Sequence, residues 1–164
     1  MTTAVPTHSK LMAVASAGGH WVQLMRLRPA WKGLRVTYVT TDPDFRQTVR
    51  QYAQDDGEPM PGFHTVVEAN RWQKLRLLRQ LAGLTYILLR ERPDVVLSTG
   101  AAPGYFALRI GRVLGARTVW VDSMANAEEL SMSGQRIGPH ADLWLTQWEH
   151  LAQPEGPHYL GSVL

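Results

Sequence analysis

Short apolar runs alternate with segments of helical periodicity along most of the chain, and this alternation restricts the fold more than any other feature of the sequence. The run DVVLS at 94–98 is almost continuously apolar, which is typical of a parallel strand buried on both faces. Strands that alternate with helices favour an α/β, Rossmann-like three-layer domain with a mostly parallel sheet. The runs that predict strands lie at 10–16, 34–40, 63–68, 94–98, 117–122 and 142–146.

Apolar spacing and terminal residues predict helices between these strands. We expect Asp42 to be the N-cap of one helix, with Pro43 as its first helical residue. The long helix should stop before Pro93, and the following helix should end at Gly115 as its C-cap. Residues 123–140 are predicted to be irregular or weakly helical. The predicted helices lie at 20–27, 42–54, 71–92 and 105–114.

The composition is that of an ordinary globular protein. The chain has 164 residues, of which 45% are apolar and 19% charged, and this predicts one domain over 1–164 and excludes a disordered chain. Cysteine is absent, which excludes disulfides, thiolate metal sites and a cysteine nucleophile, and permits a reducing compartment. The first ten residues contain no long apolar run, so we expect no signal peptide. The most apolar segment, 75–89, is too short and too charged to span a bilayer.

Charge is divided unevenly along the chain. Residues 1–117 contain 16 of the 17 Lys and Arg and 8 of the 14 acids, a net charge of +8. Residues 118–164 contain one Arg and six acids, a net charge of −5. The division suggests one face for an anionic partner and another for a different partner, although uneven charge also arises by chance in small domains.

The predicted helix at 71–92 combines a wide apolar surface with basic flanks. Its leucines cover more of the circumference than a core-facing helix needs, and its net charge is +5. This pattern is typical of a helix on an anionic membrane surface; the alternative is a helix packed in a groove between the sheet and a neighbour. No helix-turn-helix or aromatic-rich pattern accompanies the charge, so no nucleic-acid partner is predicted. The expected membrane-contact residues are Arg71, Lys74, Leu75, Arg76, Leu78, Arg79 and Leu81.

Two glycine-containing turns follow predicted strands, at the edge where open α/β sheets bind ligands. The turn AGGH at 17–20 follows the first strand, and TGAAPG at 99–104 follows the fourth. Glycine lets a ligand approach the backbone, and a helix N-terminus offers free N–H groups to an anion. The first turn matches neither the dinucleotide fingerprint nor the P-loop. The candidate substrate-binding residues at this edge are Gly18, Gly19, Thr99, Gly100, Ala101, Gly104, Ser123 and Asn126.

His20 and Asp122 are the candidate catalytic residues. His20 lies at the rim of the first turn and can transfer a proton near neutral pH; the alternative is that it only caps the turn. Asp122 ends the fifth predicted strand, where a carboxylate can orient a hydroxyl or act as a base, although acids are also common in solvated loops. The six histidines show no metal-ligand spacing and no GxSxG motif occurs, so neither a metal site nor a serine hydrolase is predicted.

Six segments of the chain carry a family resemblance: AGGH at 17–20, DVVLSTGAAPG at 94–104, VWVDS at 119–123, LSMSG at 130–134, ADLWLTQW at 141–148 and YLG at 159–161. Together they resemble the Alg14 family and its bacterial relatives of the PssD or EpsE type. Those relatives follow approximately the pattern ES…LSLSG…aD…vQW…YlG, and Asp122 stands where the family often has Glu. The layout is more distantly similar to the N-terminal half of MurG-like glycosyltransferases.

The resemblance implies one half of a GT-B glycosyltransferase that is divided between two chains and acts in polysaccharide or glycolipid biosynthesis. This chain would be the acceptor-binding, membrane-associating half, peripheral on the cytoplasmic face of the membrane. An Alg13-like partner would supply the donor half with its UDP-sugar, and the acceptor would be a polyprenyl-diphosphate-linked saccharide. Transfer would be inverting, with no metal and no cofactor.

Two other functions are compatible with the residues. One is a free-standing enzyme that binds a nucleotide or sugar phosphate and completes its own site, which activity of the purified chain alone would favour. The other is a non-catalytic scaffold that recruits its partner to the membrane. Full activity of a complex carrying His20→Ala would favour the scaffold.

Overall fold

The computed structural model describes residues 9–70 and 72–163, which build a seven-stranded sheet. The strands lie in the order β3-β2-β1-β4-β5-β6-β7, and each neighbouring pair is parallel. This topology confirms the predicted α/β, Rossmann-like class. The strands are β1 (Lys10–Val14), β2 (Arg35–Thr40), β3 (Gly62–Thr65), β4 (Val95–Ser98), β5 (Arg117–Val121), β6 (Leu143–Thr146) and β7 (His158–Tyr159).

Helices cover both faces of the sheet. From β1 the chain continues outward to β2 and β3, and then returns to form β4 on the other side of β1. Because parallel crossovers are right-handed, this reversal places α1 and α2 on one face and α3 and α4 on the other, and a crevice opens between β1 and β4 at their carboxyl ends. The helices are α1 (Gly19–Arg26), α2 (Phe45–Asp56), α3 (Lys74–Glu91), α4 (Ala101–Val113) and α5 (Met132–Ile137), with 3-10 turns at Arg28–Trp31, Gly138–His140 and Glu149–Leu151.

Each face of the sheet has its own apolar core. In β1, Met12 and Val14 join the core beneath α3 and α4, whereas Leu11 and Ala13 join the core beneath α1 and α2. All four side chains are buried, which explains the uninterrupted apolar run in the sequence. Large side chains of the first core are Leu84, Leu88, Leu108 and Trp120, and those of the second are Trp21, Leu24, Tyr38 and Phe63.

Helix α4 begins earlier than the sequence predicts. The expected start at residue 105 is wrong, because the helix begins at Ala101 and includes Pro103 in its first turn. A proline is tolerated there, since the N–H groups of a first turn have no intrahelical partner. At the other end the C-cap is Leu114 rather than Gly115, which follows with a left-handed φ of 91°.

The start of α2 also differs from the prediction. Asp42 is not the N-cap and Pro43 is not helical, because the helix begins at Phe45. The Asp42 carboxylate instead accepts a hydrogen bond from the backbone N–H of Asp44 at 2.9 Å. Aspartate side chains commonly form such local turns, which compete with helix capping.

Other element boundaries differ by a few residues. The strand predicted at 10–16 stops at Val14, and the strand predicted at 63–68 stops at Thr65. Helix α3 begins at Lys74 instead of residue 71, and Arg71 lies outside the described residues. The sequence did not predict β7, which has two residues and pairs with β6.

Candidate active site

The candidate site is built where α1 and α4 begin, at the carboxyl ends of the neighbouring strands β1 and β4. His20 is the second residue of α1, and Thr99 directly follows β4. The Nδ1 atom of His20 lies 3.0 Å from the Thr99 carbonyl oxygen, and Thr99 Oγ1 donates to the His20 carbonyl oxygen at 2.6 Å. Reciprocal hydrogen bonds thus make one structural unit of two turns that are 79 residues apart.

The partner of Nδ1 determines which ring nitrogen of neutral His20 is basic. A carbonyl oxygen accepts hydrogen bonds and cannot donate, so Nδ1 carries the proton in this contact. In the neutral ring Nε2 then keeps its lone pair, and the same hydrogen bond fixes the orientation of the ring. The half-buried imidazole can therefore accept a proton at Nε2, which is the property that a general base requires.

Glycine at position 100 makes room for this imidazole. A Cβ on Gly100 would overlap the Cε1 and Nδ1 atoms of His20, and the backbone there has a φ of 139° that favours glycine. Ala101 follows with a left-handed φ of 66°, a conformation that costs an L-residue about 1 kcal/mol. The turn tolerates this strain and places the start of α4 beside the imidazole, as is common at functional sites.

The remaining glycines of the two turns have different surroundings. Gly18 and Gly19 are exposed, and a Cβ on either would meet no atom within 4 Å, so the start of α1 is open to a ligand. Gly104 is buried, and a Cβ there would overlap Ser98 Oγ. Gly104 therefore packs α4 against β4 rather than lining the crevice.

Asp122 is buried, and both of its carboxylate oxygens accept hydrogen bonds. It is 1% exposed, and its Oδ1 accepts from the backbone N–H of Ser123 at 2.9 Å and from Asn126 Nδ2 at 3.2 Å. Its Oδ2 accepts from the backbone N–H of Ser131 at 3.0 Å. A Cβ on Gly134 would lie 2.5 Å from the same oxygen. The carboxylate thus links the end of β5 to the start of α5.

Gln147 and Trp148, which directly follow β6, hold the loop after Asp122 by hydrogen bonds. Gln147 Nε2 donates to the Asp122 carbonyl oxygen at 2.9 Å. Trp148 Nε1 donates to the Met124 carbonyl oxygen, also at 2.9 Å. Sequence reasoning used this Gln-Trp pair only as a family motif and missed its structural role. The pairing of β5 with β6 brings the segments together, and no local pattern indicates that contact.

The structure therefore divides the predicted site residues into two clusters. His20, Thr99, Gly100 and Ala101 form one cluster around the imidazole. Asp122, Ser123 and Asn126 form the other: Ser123 is 8% exposed and its Oγ accepts from the Ala125 N–H at 3.2 Å, while Asn126 bonds to Asp122. In the part of the chain that the structure describes, no three His, Cys, Asp or Glu side chains form a group that could hold a metal ion.

Helix α3 presents an apolar strip with cations around it. Leu75 and Leu78 are 80% and 64% exposed, whereas Leu84 and Leu88 on the opposite side belong to the core. Leu81 is half-buried, and the exposed cations beside the strip are Lys74, Arg76 and Arg79. Such a surface is expected for a helix that lies on an anionic membrane. None of the helices described at 9–70 and 72–163 is long and apolar enough to cross a bilayer.

A groove between α3, α4 and α5, of about 390 Å³, lies beside the crevice. Its walls include Leu77, Tyr105, Phe106 and Met132, none of which sequence reasoning selected as a site residue. Leu77 is one of the leucines that widen the apolar surface of the helix predicted at 71–92, and Met132 lies in a segment predicted to be irregular or weakly helical. No signal in the sequence distinguishes the wall of a groove from the core.

Fold and site together define the class of protein. The fold is similar to MurG of Acinetobacter baumannii, with a TM-score of 0.68 and 11% identity over 94% of this chain and 45% of MurG. It is also similar to the UDP-N-acetylglucosamine 2-epimerase of Rickettsia bellii, with a TM-score of 0.56 and 16% identity over 87% of this chain and 39% of the epimerase. The chain is a Rossmann-like domain of the type that forms one half of GT-B proteins, and it spans less than half of each of these structures.

The family is equally clear. A sequence model of the family described as "Oligosaccharide biosynthesis protein Alg14 like" matches residues 11–163, so the chain belongs to the Alg14-like family. The UDP-N-acetylglucosamine transferase subunit ALG14 of Yarrowia lipolytica is 24% identical over 90% of this chain and 78% of the relative. The human subunit of the same name is 26% identical over 94% of this chain and 82% of the relative. The resemblance carried by the sequence motifs is thereby confirmed.

Proposed function

We propose that this chain is the acceptor-binding, membrane-associating subunit of a two-chain inverting glycosyltransferase. The enzyme transfers a sugar from a UDP-sugar to a polyprenyl-diphosphate-linked saccharide in polysaccharide or glycolipid biosynthesis, at the cytoplasmic face of the membrane. The observation that carries the proposal is the orientation of His20 by Thr99 at the open end of the sheet. Relatives that are named as transferase subunits support it.

In this proposal the donor half of the site belongs to a second chain. The chain matches MurG over 45% of the MurG chain, as expected of one half of a two-domain enzyme. An Alg13-like partner supplies the other domain and holds the UDP-sugar against the crevice between β1 and β4. Neither chain alone orients both substrates, and orientation accounts for a large part of the rate of a two-substrate reaction.

The proposed transfer uses His20 as the general base. The acceptor hydroxyl oxygen attacks the anomeric carbon of the donor sugar while the bond from that carbon to UDP breaks. The hydroxyl proton passes to Nε2 of His20, and the electron pair of the broken bond leaves with UDP. Nδ1–H continues to donate to the Thr99 carbonyl oxygen, which stabilises the imidazolium that forms.

Other residues of the site bind and position in this proposal. Gly18 and Gly19 lie at the open start of α1, whose free N–H groups hold an anionic group of a substrate in the crevice. Gly100 and Ala101 bring the start of α4 to the same place. Asp122 acts through the loop that it holds, because both of its oxygens already accept hydrogen bonds from that loop and from the start of α5.

The experiment that tests the two-chain proposal compares the purified chain with the chain co-purified with an Alg13-like partner. Each is incubated with a set of nucleotide sugars and a lipid-linked saccharide acceptor. We expect no transfer by the chain alone and transfer by the complex. Robust turnover of a nucleotide sugar by the chain alone would contradict the proposal and favour a free-standing enzyme.

The membrane part of the proposal has its own test. Each cation near an anionic bilayer contributes about 1 kcal/mol to binding. Reversing Lys74, Arg76 and Arg79 to Glu should therefore abolish sedimentation with anionic liposomes and leave the circular dichroism spectrum unchanged. The control reverses three exposed cations outside α3 and should keep sedimentation: Lys32→Glu, Arg35→Glu and Arg50→Glu. Equal sedimentation of the two triple variants would contradict a role of α3.

A further inference from the structure

The groove between α3, α4 and α5 has one end near the candidate active site along α4 and the other end on α3, next to its exposed leucines. At one end, Ala102 is the second residue of α4 and lies two positions after Gly100, which contacts the His20 ring. At the other end, Leu77 belongs to the first turn of α3 and precedes the exposed Leu78. A molecule in the groove would therefore extend from the crevice toward the surface that we assign to the membrane.

The walls of the groove are mainly apolar. Tyr105 and Phe106 contribute two rings in edge-to-face contact, with centroids 5.2 Å apart. Met132 lines the same groove and is 57% exposed, so its side chain can contact a ligand there. A nucleotide or a sugar would need several convergent hydrogen-bonding groups, and besides Arg136 the groove offers only the hydroxyls of Tyr105 and Ser133.

A cation stands among these apolar walls. Arg136 lines the groove one turn after Met132 on α5, and it is exposed. Within the residues that the structure describes, its guanidinium takes part in none of the ion pairs and donates none of the side-chain hydrogen bonds. A guanidinium binds phosphate oxygens in a bidentate manner. The groove thus pairs a long apolar surface with a single site for an anion.

We propose that this groove binds the lipid end of the acceptor, with phosphate oxygens at Arg136 and the first isoprenoid units between Leu77, Phe106 and Met132. The inference rests on the proposed function for the identity of the lipid. The charge and the apolar walls complement an amphiphile that has a diphosphate head and a hydrocarbon tail. The exposed strip of α3 holds the protein on the bilayer, whereas the groove selects a single lipid out of it.

The position of this groove depends on Asp122. Its Oδ2 accepts from Ser131 N–H, and Ser131 Oγ in turn accepts from the N–H of Gly134 and caps α5. Met132 and Arg136 are both on that helix. Asp122 is consequently a positioning residue for the lipid-binding wall, which gives the buried carboxylate a function other than proton transfer.

The test uses farnesyl diphosphate, a short soluble isoprenoid diphosphate, as the probe. Its binding to the full chain is measured by calorimetry without detergent, beside farnesol and inorganic pyrophosphate. Because each buried methylene changes affinity by about fourfold, the diphosphate with its tail should bind far more tightly than pyrophosphate. Farnesol, which lacks the anion, should bind at least about tenfold more weakly than farnesyl diphosphate. Equal binding of pyrophosphate and farnesyl diphosphate would indicate a free-phosphate site and overturn the proposal.

Two variants locate the probe in the groove. Met132→Glu puts a carboxylate into the apolar wall, and a carboxylate in the first turn of α5 favours the helix, so the variant should fold. Arg136→Glu reverses the charge at the head group. Each variant should lower the affinity for farnesyl diphosphate by at least about tenfold. Met132→Glu removes apolar burial, and Arg136→Glu removes a charged hydrogen bond.

Matched controls change residues outside the groove. Val113→Glu introduces the same carboxylate at an 86% exposed apolar residue of α4, and Arg50→Glu makes the same charge reversal on α2. Both should bind the probe as the unmodified chain does. Unchanged binding in the two groove variants, or equal losses in the controls, would overturn the proposal.

The same measurements test the lipid-binding groove and the proposed transferase function independently of each other. If farnesyl diphosphate binds in the groove but the two-chain complex transfers no sugar, the lipid site stands and the transferase proposal fails. If the complex transfers sugar and Met132→Glu leaves the KM for the lipid acceptor unchanged, the transferase proposal stands and the groove assignment fails.

Discussion

The turn that carries His20 and the loop that carries Asp122 both follow parallel strands of one sheet, but their polar groups are satisfied in opposite ways. Around His20, one ring nitrogen has a partner and the other has none among the described residues, and Gly18 and Gly19 face open space. Around Asp122, both carboxylate oxygens have donors and the residue is almost completely buried. Spare hydrogen-bonding capacity, rather than position at the edge of the sheet, distinguishes a group that can react from a group that holds the fold.

The comparison predicts its largest effect at His20. In the two-chain complex, His20→Ala should lower kcat by at least roughly a hundredfold, because loss of a general base typically costs about 10²–10⁴-fold. His20→Gln can still form hydrogen bonds but cannot take up a proton, so it should lose as much. Co-purification with the partner should be unchanged in both variants. If Asp122→Asn silences the enzyme while His20→Ala is mild, the two roles are reversed.

A substitution next to His20 tests the orientation of the ring while it keeps the imidazole. Gly100→Ala places a Cβ on the ring and should lower kcat by about tenfold to a hundredfold, since misplacing a reacting group by about 1 Å costs about that much. Gly33→Ala is the matched control, because Gly33 also has a positive φ, 82°, and open space around it. It should lose about 1 kcal/mol of stability and keep its kcat. Equal loss of kcat in both variants would show that backbone strain, and not contact with the ring, is responsible.

Asp122 should affect stability more than chemistry. Asp122→Asn turns an amide NH₂ toward backbone N–H groups that now donate to a carboxylate, which should cost about 1–3 kcal/mol in urea unfolding of the full chain. The kcat of the complex should fall by less than in His20→Ala. Unchanged unfolding together with a large loss of kcat would instead make the carboxylate a catalytic group.

The smallest effect is expected at the N-cap of α5. Ser131→Ala removes the side-chain acceptor for the Gly134 N–H and should lower stability by about 1 kcal/mol, a typical value for a lost cap. Because α5 carries Met132 and Arg136, the KM for the lipid acceptor should rise while kcat changes little. A fall in kcat with constant KM would separate α5 from lipid binding.

The alternation of apolar runs predicts the sheet because its signal is local. Each strand carries its own hydrophobic pattern, and the continuous run at β1 follows directly from burial of Met12 and Val14 on one face and of Leu11 and Ala13 on the other. The predicted helix starts were wrong where the backbone conformation differs from the one that the composition suggests. The small residues before Tyr105 resemble a loop, whereas they form the first turn of α4, and the aspartate before Pro43 forms a turn instead of a cap.

The site itself was predictable only in part. The sequence predicted that the glycine turns and His20 lie at one edge of the sheet, because parallel strands bring their carboxyl ends together, and the structure places them there. The hydrogen bond between His20 and Thr99 depends on the spatial order of β1 and β4, which periodicity does not encode. The hydrogen bonds that Asp122 accepts require Ser131 and Asn126 to lie next to it in the fold. The sequence around a single aspartate does not indicate such contacts.

The hydrogen bond between His20 and Thr99 also affects the order in which the parts of this protein fold. Closing a loop of 79 residues costs conformational entropy before the contact stabilises anything, so contacts of this separation form late in folding. Strands β1, β2 and β3 with α1 and α2 are local units, and they can associate before β4 docks beside β1. During refolding, secondary structure should therefore return before the imidazole acquires its orientation, and sugar transfer, assayed with the partner chain, should recover later than the circular dichroism signal.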